Sequence, residues 1–524
     1  MKFILKKYRF QYSITIVLSI IQACMFAIFS IKLGAVIDTI GKNNDKLFHI
    51  ILMCIGIISI WFVVSSLLES SKSRYAYLVI KDIKSRLYTA LNNKKMDEYM
   101  SKQNEYYLNI FTKNIDLIHD NYLIPRCVIV SNIISALISI IAIFSISWKL
   151  ALCFLVITAF TIILSQIPGV IMAKKTKWFS EKNSEYLSVI NNHLKGFEQI
   201  KLLRVFPNFY MDYKETDEEF ENSRKNYFTV TWISDILGMF FGFFSQLLCI
   251  SIGVYFIING HLTVGLLIAA INLLNSVFGP VQSFAYNKNL IKTVDEIYNE
   301  YDEIINAKTE DKLIIDKPID EILYKNLSIN FYDKRKVIDN LNYKFEKGKI
   351  YAIKGESGSG KSTLMKVLMR YYKDEIYSGE IQIDGKNIRD ISENSIYSKI
   401  AYVQRNDFFV PGTVRDNIFL NRDIEGCGDL FKDLKLSDEL LDKKIESGSR
   451  YNVSTGEKQR IDIARFLVND YDVLIFDEPT SNLDSETSEV IFDLIFKIKN
   501  KIVIVITHNQ DEKLLSKFDE VITI

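Results

Sequence analysis

Residues 350–372, "IYAIKGESGSGKSTLMKVLMRYY", decide the fold of the second half of this chain. The opening run of β-branched and aromatic residues predicts a short strand, and the periodic apolar residues after Lys361 predict a helix. Between them, the sequence from Gly355 to Ser362 has the spacing G-x-x-x-x-G-K-S, which is typical of a phosphate-binding loop. A chance glycine-rich turn is a poor alternative, because it would not require a strand before it and a helix after it.

The composition of this loop suits the phosphates of a nucleotide. Glycines lack a Cβ, so consecutive backbone N–H groups can turn toward phosphate oxygens, and the dipole of the following helix adds to the attraction. Lys361 can reach the terminal phosphates, and the Ser362 hydroxyl suits a Mg²⁺ ion. The predicted phosphate-binding residues are Gly355, Glu356, Ser357, Gly358, Ser359, Gly360, Lys361, Ser362 and Thr363.

Three further apolar runs end in polar residues that complement the loop. In "DVLIFDEPTSNLD", residues 472–484, a buried strand brings Asp477 to the Mg²⁺ ion and Glu478 to the attacking water. Residues 502–509, "IVIVITHN", bring His508 toward the γ-phosphate. A histidine at a strand end is usually structural, but the neighbouring carboxylates favour the functional interpretation.

Gln404 follows the third of these runs, residues 400–403, and is placed to sense Mg²⁺ and water. The predicted catalytic residues are therefore Glu478, His508 and Gln404, and the predicted metal ligands are Ser362, Gln404 and Asp477.

The first half of the chain has a different character. The 524 residues are 48% apolar and 13% aromatic, and the mean hydropathy of +0.09 is high for a soluble protein with 24% charged residues. Six apolar segments, each near or above the length that crosses a bilayer, account for this excess. They cover residues 10–36, 47–68, 127–147, 150–173, 228–258 and 264–285. Buried helices of a large soluble protein seldom give six such segments, so we predict an α-helical six-span membrane domain.

Basic residues predict the orientation of these helices. Four of the first nine residues are Lys or Arg, and the two long connectors, residues 69–126 and 174–227, are rich in both. By the positive-inside rule, both termini and both long connectors are cytoplasmic. Helical spacing of apolar residues in the connectors predicts that the membrane helices extend into the cytoplasm.

Charge and cysteine content exclude several classes of protein. The net charge of +1 gives no reason to expect a nucleic-acid partner. Five of the six cysteines lie inside apolar segments, and the chain has no C-x-x-C pair, so neither a zinc site nor a disulfide framework is expected. A charged segment after Lys288 then separates two compositions. We predict a membrane domain at 1–300, a linker at 301–312 and an α/β P-loop NTPase domain at 313–524.

The order of the motifs resembles the nucleotide-binding domain of ATP-binding cassette (ABC) transporters. The motifs are the loop at residues 355–363, then Gln404, then "VSTGEKQR" at residues 453–460, then "LIFDEPTSNLD", and finally His508. Six preceding helices with long cytoplasmic connectors resemble the exporter-type half-transporter of this family, so the resemblance covers nearly the whole chain. It implies an ATP hydrolase coupled to transport, with ATP and Mg²⁺ bound.

The resemblance also implies that two such chains pair head to tail. Each ATP then lies between the phosphate loop of one chain and the signature segment of the other. That signature usually reads Leu-Ser-Gly-Gly-Gln, and its positions here are held by Val453, Ser454, Thr455, Gly456 and Glu457.

Four more residues take their expected roles from the resemblance alone. Phe331 is expected to stack on adenine, with Tyr332 as the alternative. Asp484 matches a loop that reports across the dimer, and Glu446 matches a loop that touches the membrane helices.

Departures from the family pattern lead us to expect slowed rather than absent hydrolysis. Thr455 replaces a glycine and places a Cβ where the backbone approaches a phosphate, at a cost of about 1–2 kcal/mol of local strain. Glu457 replaces a glutamine, and the helix dipole tolerates its charge. Only about 35 residues separate "GTVRDNI" from the signature, so we expect a trimmed helical subdomain, and the ending "VITI" is earlier than is usual in the family.

The leading prediction is an ATP-driven exporter half-transporter that works as a homodimer or a heterodimer. It would move an amphipathic small molecule, peptide or lipid out of the cytoplasm, and its setting would be a bacterial inner membrane with its lipids. Two alternatives stay open. One is an importer with the exporter fold, for example of metal-chelator complexes, and the other is a membrane-bound nucleotide sensor that does not pump.

Overall fold

The chain divides into two compact units, and each unit combines two segments that are separate in the sequence. The computed structural model describes residues 2–42, 44–165, 169–306, 312–331, 336–356, 358–404, 408–422, 424, 426–445, 452–481, 483, 485–509 and 511–524. The helical unit comprises residues 1–89 and 107–306, and the α/β unit comprises residues 90–106 and 307–524.

Residues 90–106 belong to the first long connector, which lies within the membrane domain predicted at 1–300. The structure shows why they group with the α/β unit instead. This segment contains a short helix, Met96–Met100, and the backbone N–H of Met96 donates to Oε2 of Glu393 at 3.1 Å. Such a contact joins residues 297 positions apart, so no local pattern in the sequence could reveal it.

The described residues up to 306 form long helices with short turns. They are α1 Lys2–Lys7, α2 Arg9–Thr39, α3 Asn44–Asn92, α4 Met96–Met100, α5 Asn104–Phe111, α6 Lys113–Ile118, a π turn His119–Leu123, α7 Ile124–Ile146, α8 Trp148–Ser165, α9 Gly169–Lys195, α10 Phe197–Leu202, α11 Phe206–Ile258, α12 Val264–Lys292 and α13 Asp295–Ile305. The long connectors are helical, as the apolar spacing predicts.

Segments 10–36, 47–68, 228–258 and 264–285 each lie within one helix, segment 127–147 lies in α7 except for its last residue, and segment 150–173 includes parts of α8 and α9 and the residues 166–168, which lie outside the described residues. Across the described residues, four helices are long and apolar enough to cross a membrane, namely Arg9–Thr39, Asn44–Asn92, Asn104–Ile146 and Phe206–Ile258. Trp148–Thr161 and Val264–Pro280 are apolar but shorter. Large apolar side chains such as Phe243, 71% exposed, point away from the bundle, as a lipid-facing surface requires.

Small hydroxyl side chains join the helices inside the bundle. Ser19 lies 2.8 Å from Ser131, and Thr15 lies 3.0 Å from Ser71. Because a bilayer core offers no water, polar groups placed between helices satisfy one another.

Two glycines bring the backbones of α2 and α12 close together. A Cβ on Gly265 of α12 would lie 2.1 Å from the carbonyl oxygen of Gly34 on α2, which is far inside van der Waals contact. Asp38 fixes the same place, because its carboxylate accepts hydrogen bonds from Thr263 Oγ1 at 2.6 Å and from the Gly265 N–H at 3.0 Å. Backbone contact therefore pins α2 to the start of α12.

Gly265→Ala tests this contact. Overpacking of this kind costs about 1–3 kcal/mol, so we expect the midpoint of thermal unfolding to fall by roughly 4–8 °C. The matched control is Gly279→Ala on the same helix, because a Cβ there would meet nothing within 4 Å. Scanning fluorimetry of both variants in one detergent measures the difference, and an equal shift in the two would contradict the assignment.

The α/β unit is built on three sheets. Its strands are β1 Glu321–Asn330, β2 Lys336–Glu346, β3 Ile350–Lys354, β4 Tyr377–Ile383, β5 Lys386–Asn387, β6 Ile400–Val403, β7 Gly412–Thr413, β8 Lys444–Ile445, β9 Val473–Asp477, β10 Ile502–Ile506 and β11 Glu520–Thr523. A parallel sheet has the order β11-β3-β10-β9-β6, an antiparallel sheet has the order β2-β1-β4-β5, and β7 pairs with β8.

Helices cover the parallel sheet. They are α14 Lys361–Leu368, α15 Glu393–Lys399, α16 Val414–Phe419, α17 Gly428–Asp433, α18 Asp438–Leu441, α19 Thr455–Leu467, α20 Ser485–Phe496 and α21 Glu512–Leu515, with 3₁₀ turns at Asp374–Ile376 and Ile388–Asp390.

The parallel sheet separates two hydrophobic cores. Tyr351 and Ile353 of β3 face the antiparallel sheet and α14, whereas Ala352 faces the side of α19 and α20. All five residues of β10 are buried, which explains why its sequence is apolar without alternation. The α/β P-loop prediction is confirmed, and the sheet places the carboxyl ends of β3, β6, β9 and β10 at one edge.

Candidate nucleotide-binding site

The phosphate loop joins β3 to α14 at this edge of the sheet. Gly358 and Gly360 have φ angles of +86° and +100°, which glycine adopts without cost. At Gly360 a Cβ would also lie 2.4 Å from Cγ1 of Val337. The loop therefore needs glycine at position 360 both for its conformation and for space.

Two side chains show how this loop can receive phosphates. Lys361 is only 4% exposed, and its Nζ donates to the carbonyl oxygens of Gly355 at 2.9 Å and Glu356 at 2.7 Å. The buried hydroxyl of Ser359 has no hydrogen-bond partner among the described residues. Buried polar groups in proteins are normally satisfied, so this hydroxyl is available to a phosphate oxygen.

The carboxylate of Asp477, at the end of β9, is held from both sides. Ser362 Oγ donates to Oδ1 of Asp477 at 3.0 Å, and the hydroxyl of Tyr402 donates to Oδ2. Burial, together with the adjacent Asp477 carboxylate, raises the pKa of Tyr402, so the phenol keeps its proton and donates. Oxygen donors from Ser362 and Asp477 are the type that Mg²⁺ prefers, so these residues fit a Mg²⁺ ion.

Gln404 directly follows β6, the strand that pairs with β9. Val403 pairs with Phe476 in the parallel ladder, so the next residue of each strand, Gln404 and Asp477, follows at the same edge.

Glu478 and His508 are in direct contact. The Nε2 atom of His508 lies 2.8 Å from Oε1 of Glu478, and both side chains are 41% exposed. Glu478 has a left-handed backbone with φ of +52°, and its N–H donates to the Ile506 carbonyl at 3.0 Å. Non-glycine residues in this region often occur at functional sites. The pair can hold a water molecule in one orientation next to a phosphate.

The signature segment forms the start of α19. Ser454 is the N-cap and makes a capping box with Glu457: the Glu457 N–H donates to Ser454 Oγ at 3.2 Å, and the Ser454 N–H donates to Glu457 Oε2 at 2.6 Å. Partial burial opposes ionisation of Glu457, but the Ser454 hydrogen bonds and the nearby Lys443 and Arg460 hold its pKa below the usual value.

Thr455 is the first residue of α19 and has a helical backbone with negative φ. A threonine therefore fits the first turn of this helix without a left-handed conformation, and the cost expected for its Cβ near a phosphate stays a prediction. Any cost of its Cβ arises only when a ligand approaches. Gly456 makes an ordinary contact, since a Cβ there would lie 3.4 Å from Cδ2 of Leu483.

Phe331, the residue predicted to stack on adenine, follows β1 and is half-buried. Its ring makes an edge contact with Tyr372 at 5.5 Å between centroids. The predicted site residues Ser357 and Asp484, and the residues Tyr332 and Glu446, lie outside the described residues.

The predicted residues form two separate groups. The first lies at the sheet edge and includes Lys361, Asp477 and Glu478. The second lies at the start of α19, and in the described residues no hydrogen bond or ion pair joins Ser454 or Glu457 to the first group. Within the described residues, the contact between α19 and the Glu478 segment is made by Gln459 and not by the signature residues.

Two residues that support the candidate site could not be predicted from the sequence. One is Tyr402, whose hydroxyl on an otherwise apolar strand was the only signal. The other is Gln459 of α19, 8% exposed, whose side-chain amide donates to the carbonyl oxygen of Pro479 and, at 3.5 Å, to that of Glu478. Gln459 thereby supports the backbone that carries the Glu478 carboxylate.

Two family models match the chain. Residues 12–281 match the ABC transporter transmembrane region, which is more than half of the chain, and residues 338–481 match the ABC transporter family.

Curated relatives match over almost the full length. A protein of Staphylococcus aureus strain bovine RF122 / ET3-1, named as a multidrug export ATP-binding/permease protein, is 25% identical over 537 residues, with 96% of this chain and 91% of the relative covered. Its counterpart in strain NCTC 8325 / PS 47 is 25% identical over 532 residues, with the same coverage.

A solved structure shares the fold. The structure of a bacterial Atm1-family ABC exporter with ATP bound superposes with a TM-score of 0.80 at 17% identity, and it covers 99% of this chain and 93% of that chain. At this identity the likeness concerns the fold.

Proposed function

This chain belongs to the ABC transporter family, and from this premise we propose that it is one half of a dimeric exporter of amphipathic compounds. It is a multi-pass membrane protein of the exporter type, and it couples ATP hydrolysis to transport. The observation that supports the dimer is that the signature residues do not bond to the phosphate-loop residues of their own chain. Lys361, Asp477 and Glu478 lie at one sheet edge, whereas in the described residues Ser454 makes hydrogen bonds with Glu457 and none with that group. A second chain, identical or homologous, brings its own Ser454 to the phosphates held by Lys361.

Each group in this paired site has a task. Backbone N–H groups of the loop and Lys361 hold the phosphates, and Ser454 with the Gly456 N–H of the partner chain contacts the γ-phosphate. Glu478, held by His508, orients the attacking water. Mg²⁺, held by Ser362 and Asp477 with Gln404 beside them, would neutralise charge on the phosphates.

Transport follows from closure of the paired site. When two chains close on ATP, the cytoplasmic extensions of the membrane helices move together, and they separate again after hydrolysis and release of the products. We propose that both termini face the cytoplasm of a bacterium and that the protein lies in the inner membrane. The names of the staphylococcal relatives support a drug-like amphipathic substrate. Amphipathic peptides and lipids belong to the same proposed substrate class.

Direction of transport tests this proposal. The purified protein is reconstituted into vesicles with the α/β unit outside, and a fluorescent lipophilic dye is added with ATP. We expect the dye to accumulate inside, which is the direction of export from a cell. ATP-dependent loss of dye from loaded vesicles would instead indicate an importer, and ATP hydrolysis without dye movement in either direction would contradict the dye-like substrate.

Tyr402→Phe tests the support of Asp477. Without the phenol hydroxyl, one carboxylate oxygen loses its partner, so we expect the Mg²⁺ concentration for half-maximal hydrolysis to rise about tenfold while the KM for ATP stays within about twofold. Tyr371→Phe is the matched control, because its ring lies 6.2 Å from that of Tyr402 in the same core. Equal Mg²⁺ dependence in both variants would show that the Tyr402 hydroxyl does not support the Mg²⁺ ligands.

Thr455→Gly tests the signature. If the Thr455 Cβ opposes the approach of a phosphate by about 1 kcal/mol, its removal raises the hydrolysis rate about fivefold. Thr455→Ala keeps the Cβ and should behave like the wild type. Steady-state ATPase rates of the three proteins in lipid give the answer, and a rate unchanged in Thr455→Gly would show that this Cβ does not limit closure.

A further inference from the structure

The helical unit contains a cavity of about 590 Å³ that the ATP-binding site does not use. Its walls come from α1, the starts of α2, α7 and α13, and the lower part of α3. The lining includes four tyrosines, three basic residues and one aspartate. A volume of this size lies within the range of about 300–1,000 Å³ that ligand pockets occupy.

The cavity lies at the edge of the membrane-spanning region. Arg9 and Tyr12 stand at the start of the first apolar segment, and Arg126 directly precedes the third. Tyr75 follows the end of the second apolar segment by a few residues. This is the depth at which lipid head groups meet water, and both tyrosine and basic side chains are favoured there.

Aromatic rings hold the guanidinium of Arg126 in the wall. Its Cζ lies 6.0 Å from the ring centre of Tyr12, and its Nη1 donates to the Tyr122 hydroxyl at 3.3 Å. Tyr12 in turn packs on Tyr75, which is 2% exposed, at 5.2 Å. Because a guanidinium has five N–H donors, most of them remain for a ligand.

The charge of the cavity is unbalanced. Lys6, Arg9 and Arg126 make no ion pair within the described part of the chain, although Lys7 next to them pairs with Asp82 at 2.9 Å. Asp295 is the one acid in the wall, and it lies in the first turn of α13, where the helix dipole already favours its charge. Three positive charges face one negative charge, so the cavity favours an anion.

We propose that this cavity binds the phosphate head group of an anionic phospholipid, with Arg126 as its main anchor. A planar guanidinium gives paired hydrogen bonds to phosphate oxygens, and Lys6 and Arg9 add attraction at the rim. The tyrosine rings and Leu5 offer apolar surface to the adjoining glycerol. Basic pockets between membrane helices bind such head groups by these same forces.

Lipid retention tests the site in the full-length protein. The protein is equilibrated in micelles that contain equal amounts of phosphatidylglycerol and phosphatidylcholine, and retained lipids are counted by native mass spectrometry. We expect the wild type to retain phosphatidylglycerol in preference, and Arg126→Gln to retain about fivefold to tenfold less of it. Arg74→Gln is the matched control, since Arg74 is an exposed neighbour of Tyr75 that does not line the cavity.

Two further arms keep the proposal falsifiable. The double variant Lys6→Gln with Arg9→Gln changes only exposed side chains, so it reports on the rim even if Arg126→Gln fails to fold, and we expect it to lower retention as well. Inorganic phosphate and glycerol phosphate are added as competitors. Displacement of the lipid by millimolar inorganic phosphate would indicate a free-phosphate site and overturn the proposal, as would equal loss in Arg74→Gln or no preference for phosphatidylglycerol in the wild type.

Discussion

Glu478→Gln is expected to lower the rate of ATP hydrolysis by about 10²–10³-fold while ATP still binds. The carboxylate of Glu478 is held 2.8 Å from His508 at the sheet edge. An amide at this position keeps the shape of the side chain but carries no charge to attract a proton from water. Because Lys361 and Ser454 remain, the nucleotide should stay trapped between two chains.

Two measurements check this expectation together. Phosphate release in lipid reports the hydrolysis rate, and size analysis with ATP reports the trapped dimer. Glu486→Gln is the control, since this carboxylate is 80% exposed and pairs with Lys435 at 2.6 Å. If the wild type and Glu478→Gln are equally inactive with every candidate partner present, the chain senses nucleotide without pumping.

Lys361→Ala is expected to weaken ATP binding itself by about 10–100-fold, the loss that follows from removing a charged hydrogen-bond donor worth about 1.5–3 kcal/mol. In the structure the Lys361 amine bridges two carbonyl oxygens of the phosphate loop. Without it the loop loses its positive charge at the point where the terminal phosphates are expected.

A fluorescent ATP analogue measures the affinity of this variant directly. Lys366→Ala, on the same helix α14 and partly exposed, is the matched control and should bind as the wild type does. The two variants also separate the steps of the cycle: Glu478→Gln should bind and trap ATP, whereas Lys361→Ala should do neither. If Lys361→Ala bound ATP with unchanged affinity, the nucleotide would have to bind somewhere other than this loop.

Motifs within short stretches of sequence could be predicted because their chemistry is local. The spacing from Gly355 to Ser362 specifies a strand, a turn with left-handed glycines and a helix, and all three are present. Asp477 and His508 end strands that are buried on both faces, and parallel strands bring such ends together. The family and the coupling of ATP hydrolysis to transport are likewise confirmed.

Contacts between distant parts of the chain could not be predicted. The Tyr402 hydroxyl reaches Asp477 across 75 residues, and nothing near either residue in the sequence marks the pair. Gly265 meets Gly34 only after the helices pack, and the contact from Met96 to Glu393 joins residues 297 positions apart.

The unbroken length of α3 and α11 has a mechanical consequence. At 49 and 53 residues they are rods of about 74 Å and 80 Å, and α3 has no proline along its course. A stiff rod turns a small rotation into a large sweep: a tilt of about 5° displaces the far end of α3 by about 6 Å, roughly one helical turn. Leverage of this kind needs no hinge within the helix, so a small angular change at one end is enough to move the other end by several ångströms.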